Sequence, residues 1–243
     1  MDGKLVGEED EALKRDLIVA IDGPAGSGKS TVSKVLAKRL SYLYLDTGAL
    51  YRAVAYLIDR ADISGNDEQV LHDLLKTADI RLQKSGDGLQ VYVNGEDVTG
   101  HLRTEEIGLM ASKISALPMI REMLLPIQRK AGASGGIVAE GRDMGTVVFP
   151  DADVKFFLEA SESERIQRRF KELSNRGDGI PYGSIARDMR QRDLQDRERT
   201  VAPLRPHEEA VIIDTSSMTI AEVVENMLGI INNSLASNSL DLL

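Results

Sequence analysis

A chain of 243 residues, 42% hydrophobic and 28% charged, is long enough for one large α/β domain, or a domain with an insert, around a sizeable core. A net charge of −9 and the absence of cysteine argue against long nucleic acid as a partner and exclude disulfides and thiolate metal sites. No apolar run approaches the roughly 18 residues that span a bilayer. The acidic start MDGKLVGEEDEALKRD, residues 1–16, has neither the apolar core of a signal peptide nor the character of a transit peptide, so a flexible extension on a cytoplasmic protein is expected.

The first element is LIVAI (17–21), a continuous apolar and partly β-branched run that reads as a buried parallel strand. Directly after it, Gly23, Pro24, Ala25, Gly26, Ser27, Gly28, Lys29 and Ser30 fit G-x-x-x-x-G-K-[ST], the phosphate-binding loop. A helix over 29–40 follows, with Val32, Val35, Leu36 and Leu40 at helical spacing and Thr31 in its first turn. Strand, glycine loop and helix N-terminus together make an anion cradle, because unpaired backbone N–H groups converge where the helix dipole is positive. Lys29 is placed to reach the β- and γ-phosphates of a nucleoside triphosphate, and the Ser30 hydroxyl to ligate Mg²⁺.

Further strands are expected at 42–45, 136–140, 154–158 and 210–214, with helices at about 48–60, 104–116, 119–131, 161–174, 183–199 and 219–231. Strands alternating with helices predict a doubly wound parallel sheet. The segment DIRLQKSGDGLQVYVNGEDV (79–98) breaks this rhythm, with two alternating runs around SGDG that read as a β-hairpin. Ile80 and Leu82 fall on one face of it, as do Val91 and Val93. A hairpin has no place in a doubly wound core, so 62–132 is assigned to an insert, 17–61 and 133–231 to the core domain, and 232–243 to a flexible tail. The histidines, His72, His101 and His207, have no ligand spacing and suit surface or packing roles.

A guanine-specific switch protein would carry N-K-x-D after a strand, whereas the nearest string, NRGD at 175–178, has Arg for Lys and follows a helix. A kinase of small molecules needs a second pocket that holds an acceptor in line with the γ-phosphate. Three stretches could wall it. In LDTGALYR (45–52), Asp46 ends a strand where open α/β sheets place ligand contacts, Thr47 can cap the next helix, and Tyr51 and Arg52 project from its first turns. In AEGRDMGTVVFP (139–150), a strand ends at Glu140 and Arg142 and Asp143 stand at the rim between two glycines. In RQRDLQDRERTVAP (190–203), Arg192, Asp196 and Arg199 at i, i+4 and i+7 share one helix face, which taken alone reads better as a solvated helix laced with ion pairs.

The phosphate loop and these three stretches, in this order, resemble the bacterial-type cytidylate kinases over about Leu17–Ile230, hairpin insert included. GRDMGTVVFPDA and RDLQDRERTVAPL are the specific strings; Glu209 in PHEEAVIID stands where aspartate is expected. The resemblance implies Mg²⁺-dependent phosphoryl transfer from ATP to CMP or dCMP, with a five-stranded sheet of order 2-3-1-4-5 and a short lid at about 160–182; separately, a monomer is expected. Lys29, Arg142 and Arg192 become the catalytic set, and Arg168, with Arg165 and Arg169 nearby, belongs to the lid over ATP. Thr47, Tyr51, Arg52, Arg142, Arg192, Asp196 and Arg199 line the acceptor's phosphate and sugar, while Ser112, Arg121 and Asp143 meet cytosine. Ser30 is the metal ligand, with Asp46 acting through water. The rival readings are a kinase of UMP or AMP and a nucleotide-binding regulator without transfer activity.

Overall fold

The computed structural model describes residues 16–63, 68–85, 88–177 and 179–240. The expected extension, apart from Asp16, and positions 241–243 of the expected tail lie outside the described residues. In chain order the elements begin with β1 (Ile18–Asp22), α1 (Lys29–Leu40), β2 (Leu43–Asp46) and α2 (Thr47–Arg60). The insert follows as α3 (Glu68–Thr77), β3 (Ile80–Ser85), β4 (Gly88–Val93), β5 (Glu96–Asp97), α4 (Glu105–Ile114) and α5 (Pro118–Ala131). The chain then returns through β6 (Ile137–Glu140), β7 (Val154–Glu159), α6 (Glu162–Arg176), α7 (Tyr182–Glu198), β8 (Val211–Asp214) and α8 (Ile220–Leu240).

The main sheet is parallel in the order β2-β6-β1-β7-β8, which is 2-3-1-4-5 when its five strands are counted in sequence. β1 lies at the centre, with Val19 in register with Val138 of β6 and Val154 of β7. Its residues alternate between two buried layers. Val19 and Ile21 pack with Val32 and Leu36 of α1 and with Val223, Met227 and Ile231 of α8. Ala20 faces the other layer with Leu45, Ala139, Met144 and Phe149. Burial on both faces is why the sequence of this strand is apolar throughout rather than alternating. Val35, expected among the buried residues of α1, is 38% exposed; the apolar face is carried by Val32 and Leu36 instead.

The chain crosses from one side of β1 to the other, so the carboxyl ends of β1, β2 and β6 open onto a crevice at the switch point. All three end in an acid: Asp22, Asp46 and Glu140. α2 begins at that edge, and its N-cap is Asp46, whose carboxylate accepts the Ala49 N–H at 3.1 Å. The cap expected of Thr47 is therefore corrected; one residue into the helix, its hydroxyl instead donates to the Glu140 carbonyl at 2.7 Å.

The hairpin pairs Ile80 with Val93 and Leu82 with Val91, so the expected face is a single apolar surface. It packs, together with Leu71 and Leu75 of α3, Ile107 of α4 and Ile120 and Leu124 of α5, against Leu50, Val54 and Ile58 of α2. The insert shares its core with α2, which ties the acceptor side of the crevice to the sheet. Helix α3 was not expected; its apolar face is the buried Leu71 and Leu75 with the partly buried Leu74. At the other end, α8 continues past 231 to Leu240, where a flexible tail was expected. Met227, Ile231 and Leu235 recur at i+4 and keep packing on the same layer. Glu209, the departure noted in the sequence, holds the buried Lys155 ammonium at 2.6 Å. Among the described residues no helix is long and apolar enough to cross a membrane.

Candidate active site

The donor side is the loop between β1 and α1. Gly23 has φ 146°, and a Cβ there would overlap the Leu158 carbonyl of the neighbouring strand. Gly28 closes the loop at φ 90° as the N-cap of α1, with no side chain competing for the first N–H groups of the helix. Those groups stay directed into the cradle. Lys29 is buried and donates from Nζ to the Pro24 carbonyl at 2.6 Å and to the Ser27 hydroxyl at 3.3 Å. Burial and the Arg142 charge hold its pKa well below the ordinary lysine value, against the pull of Glu140. Ser30 and Thr31 follow at the exposed start of the helix. Gly23→Ala is expected to cost at least ~1–3 kcal/mol for the unfavourable backbone alone, with more from the displaced strand, measured as a fall in the unfolding midpoint; an unchanged midpoint would contradict this account of the loop.

Of the lid arginines, Arg168 lies beside the loop, donating to the Thr215 carbonyl at 2.6 Å and hydroxyl at 3.0 Å. Arg169 pairs with Glu105 of the insert. Arg165 departs from the expectation. It is buried, donates to the Ala25 carbonyl at 3.1 Å and pairs with Asp193 at 2.6 Å. It ties α6 and α7 to the loop.

Across the crevice, α2, the rim after β6, and α7 bring basic side chains together. Arg52 pairs with Asp46 at 2.6 Å, and Arg142 with Asp196 at 2.8 Å. Burial pushes the Asp196 carboxyl up, but Arg142 and Arg192 outweigh it and hold its pKa below the ordinary value. The Arg192 Nε is buried without a hydrogen-bond partner, and burial beside Arg142 lowers its pKa to about 10. An unpartnered guanidinium in such a place is costly unless an anion meets it.

A second pocket wall lies between the rim and the insert. Asp143 is buried against Arg121 of α5, with Arg199 Nη2 3.7 Å from its other oxygen. Burial raises its pKa, partly offset by those two cations. Arg121 sits over the Tyr51 ring at 5.6 Å and donates to the Ser115 carbonyl at 3.2 Å. The Ser112 hydroxyl is buried with no partner, and the Ser112 carbonyl accepts from Gln195 at 2.7 Å. Arg199 is not on the helix with Arg192 and Asp196. α7 ends at Glu198, and Arg199, extended at φ −58° and ψ 138°, turns into this pocket.

Sequence reasoning missed two acids. Asp22 is buried, with its pKa raised to about 7 chiefly by desolvation, and accepts the Met144 and Gly145 N–H groups at 2.8 Å each. Glu140, noted only as a strand end, is buried, accepts from the Tyr44 hydroxyl and is close enough to Ser30 to feel its hydroxyl. Burial and Asp46 raise its pKa, which Lys29 partly offsets. The available signal was position, since both are terminal residues of core strands. Among the described residues no three acids or histidines form a metal cluster. The oxygen donors Ser30, Glu140 and Asp46 nonetheless suit Mg²⁺, which takes few protein ligands and completes its shell with water and phosphate.

Fold and site define an α/β P-loop kinase with an insert after its second core helix. A family model described as "Cytidylate kinase" matches residues 19–233. The cytidylate kinase of Geobacter sp. (strain M21) is 52% identical over 211 residues, covering 87% of this chain and 91% of that one. That of Geobacillus sp. (strain WCH70) is 46% identical over 220 residues, covering 90% and 98%. The chain belongs to the cytidylate kinase family.

Proposed function

We propose that the protein transfers the γ-phosphoryl group of ATP to CMP or dCMP with Mg²⁺, giving ADP and CDP or dCDP. The observation that carries this reading is the convergence of Arg52, Arg142 and the unpartnered Arg192 on one crevice with Lys29. The phosphate of CMP is already an anionic oxygen nucleophile, so no strong general base is needed, and none of the histidines lies among the residues that line the crevice. What the reaction needs is two polyanions held in line and their charge neutralised.

The loop N–H groups and Lys29 hold the donor phosphates, and Arg168 flanks them. Ser30, with Glu140 and Asp46 through water, would hold Mg²⁺, which neutralises charge on the transferring phosphates when bound. Arg52, Arg142 and Arg192 hold the acceptor phosphate, their planar forks matching phosphate oxygens. Thr47 and Tyr51 shape the floor, Asp196 orients Arg142 and faces the sugar, and Asp143, Arg121 and Ser112 receive the base. The insert and the α6–α7 pair, linked through Glu105 and Arg169, close over the crevice and exclude water that would otherwise take the phosphoryl group. A net charge of −9 and no cysteine suit a cytoplasmic enzyme working on free nucleotides.

A coupled assay with ATP, Mg²⁺ and CMP, dCMP, UMP or AMP in turn tests the reading. Turnover should be fastest with a cytidine nucleotide. Equal rates with UMP or AMP would reassign the substrate, and no transfer to any of them would reduce the protein to a binding module.

A further inference from the structure

The chain leaves the sheet at Gly141, whose N–H still donates to the Ile21 carbonyl at 3.0 Å. Three residues later a wide helical turn, Met144–Val148, begins, with Asp143 at its N-cap position. An aspartate there ordinarily folds back to accept the first free N–H groups of the turn. Asp143 makes no such cap; its carboxylate points away to Arg121 and Arg199. The N–H groups of Met144 and Gly145 are taken instead by the two oxygens of Asp22, 122 and 123 residues away in sequence, at 2.8 Å each.

We propose that Asp22 is a positioning residue for base choice: by capping the 144–148 turn from the end of β1, it keeps the Asp143 carboxylate free for the nucleotide base. The inference rests on the reading of Asp143 as the group that meets cytosine. Without Asp22 two buried N–H groups lack an acceptor, an expensive condition. Asp143 holds the position from which its carboxylate can supply one. Its recruitment as a cap would withdraw it from Arg121 and from the base. Phosphate binding should be spared, because the loop and the Lys29 ammonium do not depend on Asp22 for a hydrogen bond.

The test compares Asp22→Asn, Asp22→Ala, Asp143→Ala and the double variant Asp22→Ala/Asp143→Ala. Each is measured for kcat/KM with CMP and with UMP, for affinity for a fluorescent ATP analogue, and for its unfolding midpoint. Asparagine keeps the size of the side chain and one acceptor, which guards against loss of folding in the alanine variant. The expected result for both Asp22 variants is a CMP-to-UMP ratio lowered on the order of 10-fold, the scale of one lost polar contact to a substrate, with ATP affinity within about 3-fold of the parent. The double variant should show no further loss of the ratio, because both changes remove the same contact. If Asp143→Ala lowers the ratio and the Asp22 variants do not, or the losses add in the double variant, the role given to Asp22 is wrong while the reading of Asp143 stands. If Asp143→Ala leaves the ratio unchanged, both fall.

Discussion

Lys29→Ala is expected to lower phosphoryl transfer by on the order of 10²–10³-fold, the effect of removing one preorganised charge from a developing transition state, while the protein stays folded. The ammonium sits within the loop that holds the donor phosphates and near Arg142, Arg192 and Glu140, where donor and acceptor charges must meet. Its burial already depresses its pKa, so a phosphate anion arriving there supplies the partner that favours the charged form. Alanine removes a buried cation whose ammonium is held by the loop itself, at the Pro24 carbonyl and the Ser27 hydroxyl. The unfolding midpoint should therefore hold while kcat collapses. A folded variant with turnover near that of the parent would show that the loop is not the donor site.

Asp143→Ala should shrink the preference for CMP over UMP. Cytosine offers an amino donor at position 4, where uracil has an acceptor oxygen. A carboxylate accepts from the amino group and meets a like partial charge in uracil, a difference of roughly 1–3 kcal/mol when buried. The buried Arg121 and the unpartnered Ser112 hydroxyl lie beside Asp143 as donors for the remaining acceptors of the ring. The substitution also leaves Arg121 buried without its carboxylate, so a loss of stability on the order of 3–5 kcal/mol accompanies it. Steady-state kinetics with both nucleotides check the claim; an unchanged ratio of kcat/KM values moves base recognition elsewhere in the insert.

The parts of the site that were legible in sequence are those written contiguously. The phosphate loop declares itself because strand, glycines and lysine must follow one another for the backbone to turn around an anion. The sheet was legible for a related reason: strands buried on both faces are short apolar runs whatever their order. The helical spacing of Arg192 and Asp196 places them on one face but does not say which neighbour that face meets, and taken alone a solvated helix fitted it better. Arg142 supplies the answer from 54 residues away. Asp22 and Glu140 were missed because their roles are assembled across the sheet, from Met144, Gly145, Tyr44 and Ser30. Arg165 misled for the opposite reason. Its place in SERIQRRF suggests the lid over ATP, yet it is buried against Asp193 and the Ala25 carbonyl. Helix α3 escaped notice because its apolar period spans little more than one turn, from Leu71 to Leu75, and the continuation of α8 because most residues after Ile231 are small and polar.

The central claim, transfer from ATP to a cytidine monophosphate selected by its base, is tested most directly by competition in one vessel. CMP and UMP at equal concentration compete for limiting ATP with Mg²⁺, and the products are separated by chromatography before the ATP is spent. CDP should form in large excess over UDP, with ADP produced in step with the two diphosphates. Equal amounts of CDP and UDP, or ADP accumulating without either, would contradict it.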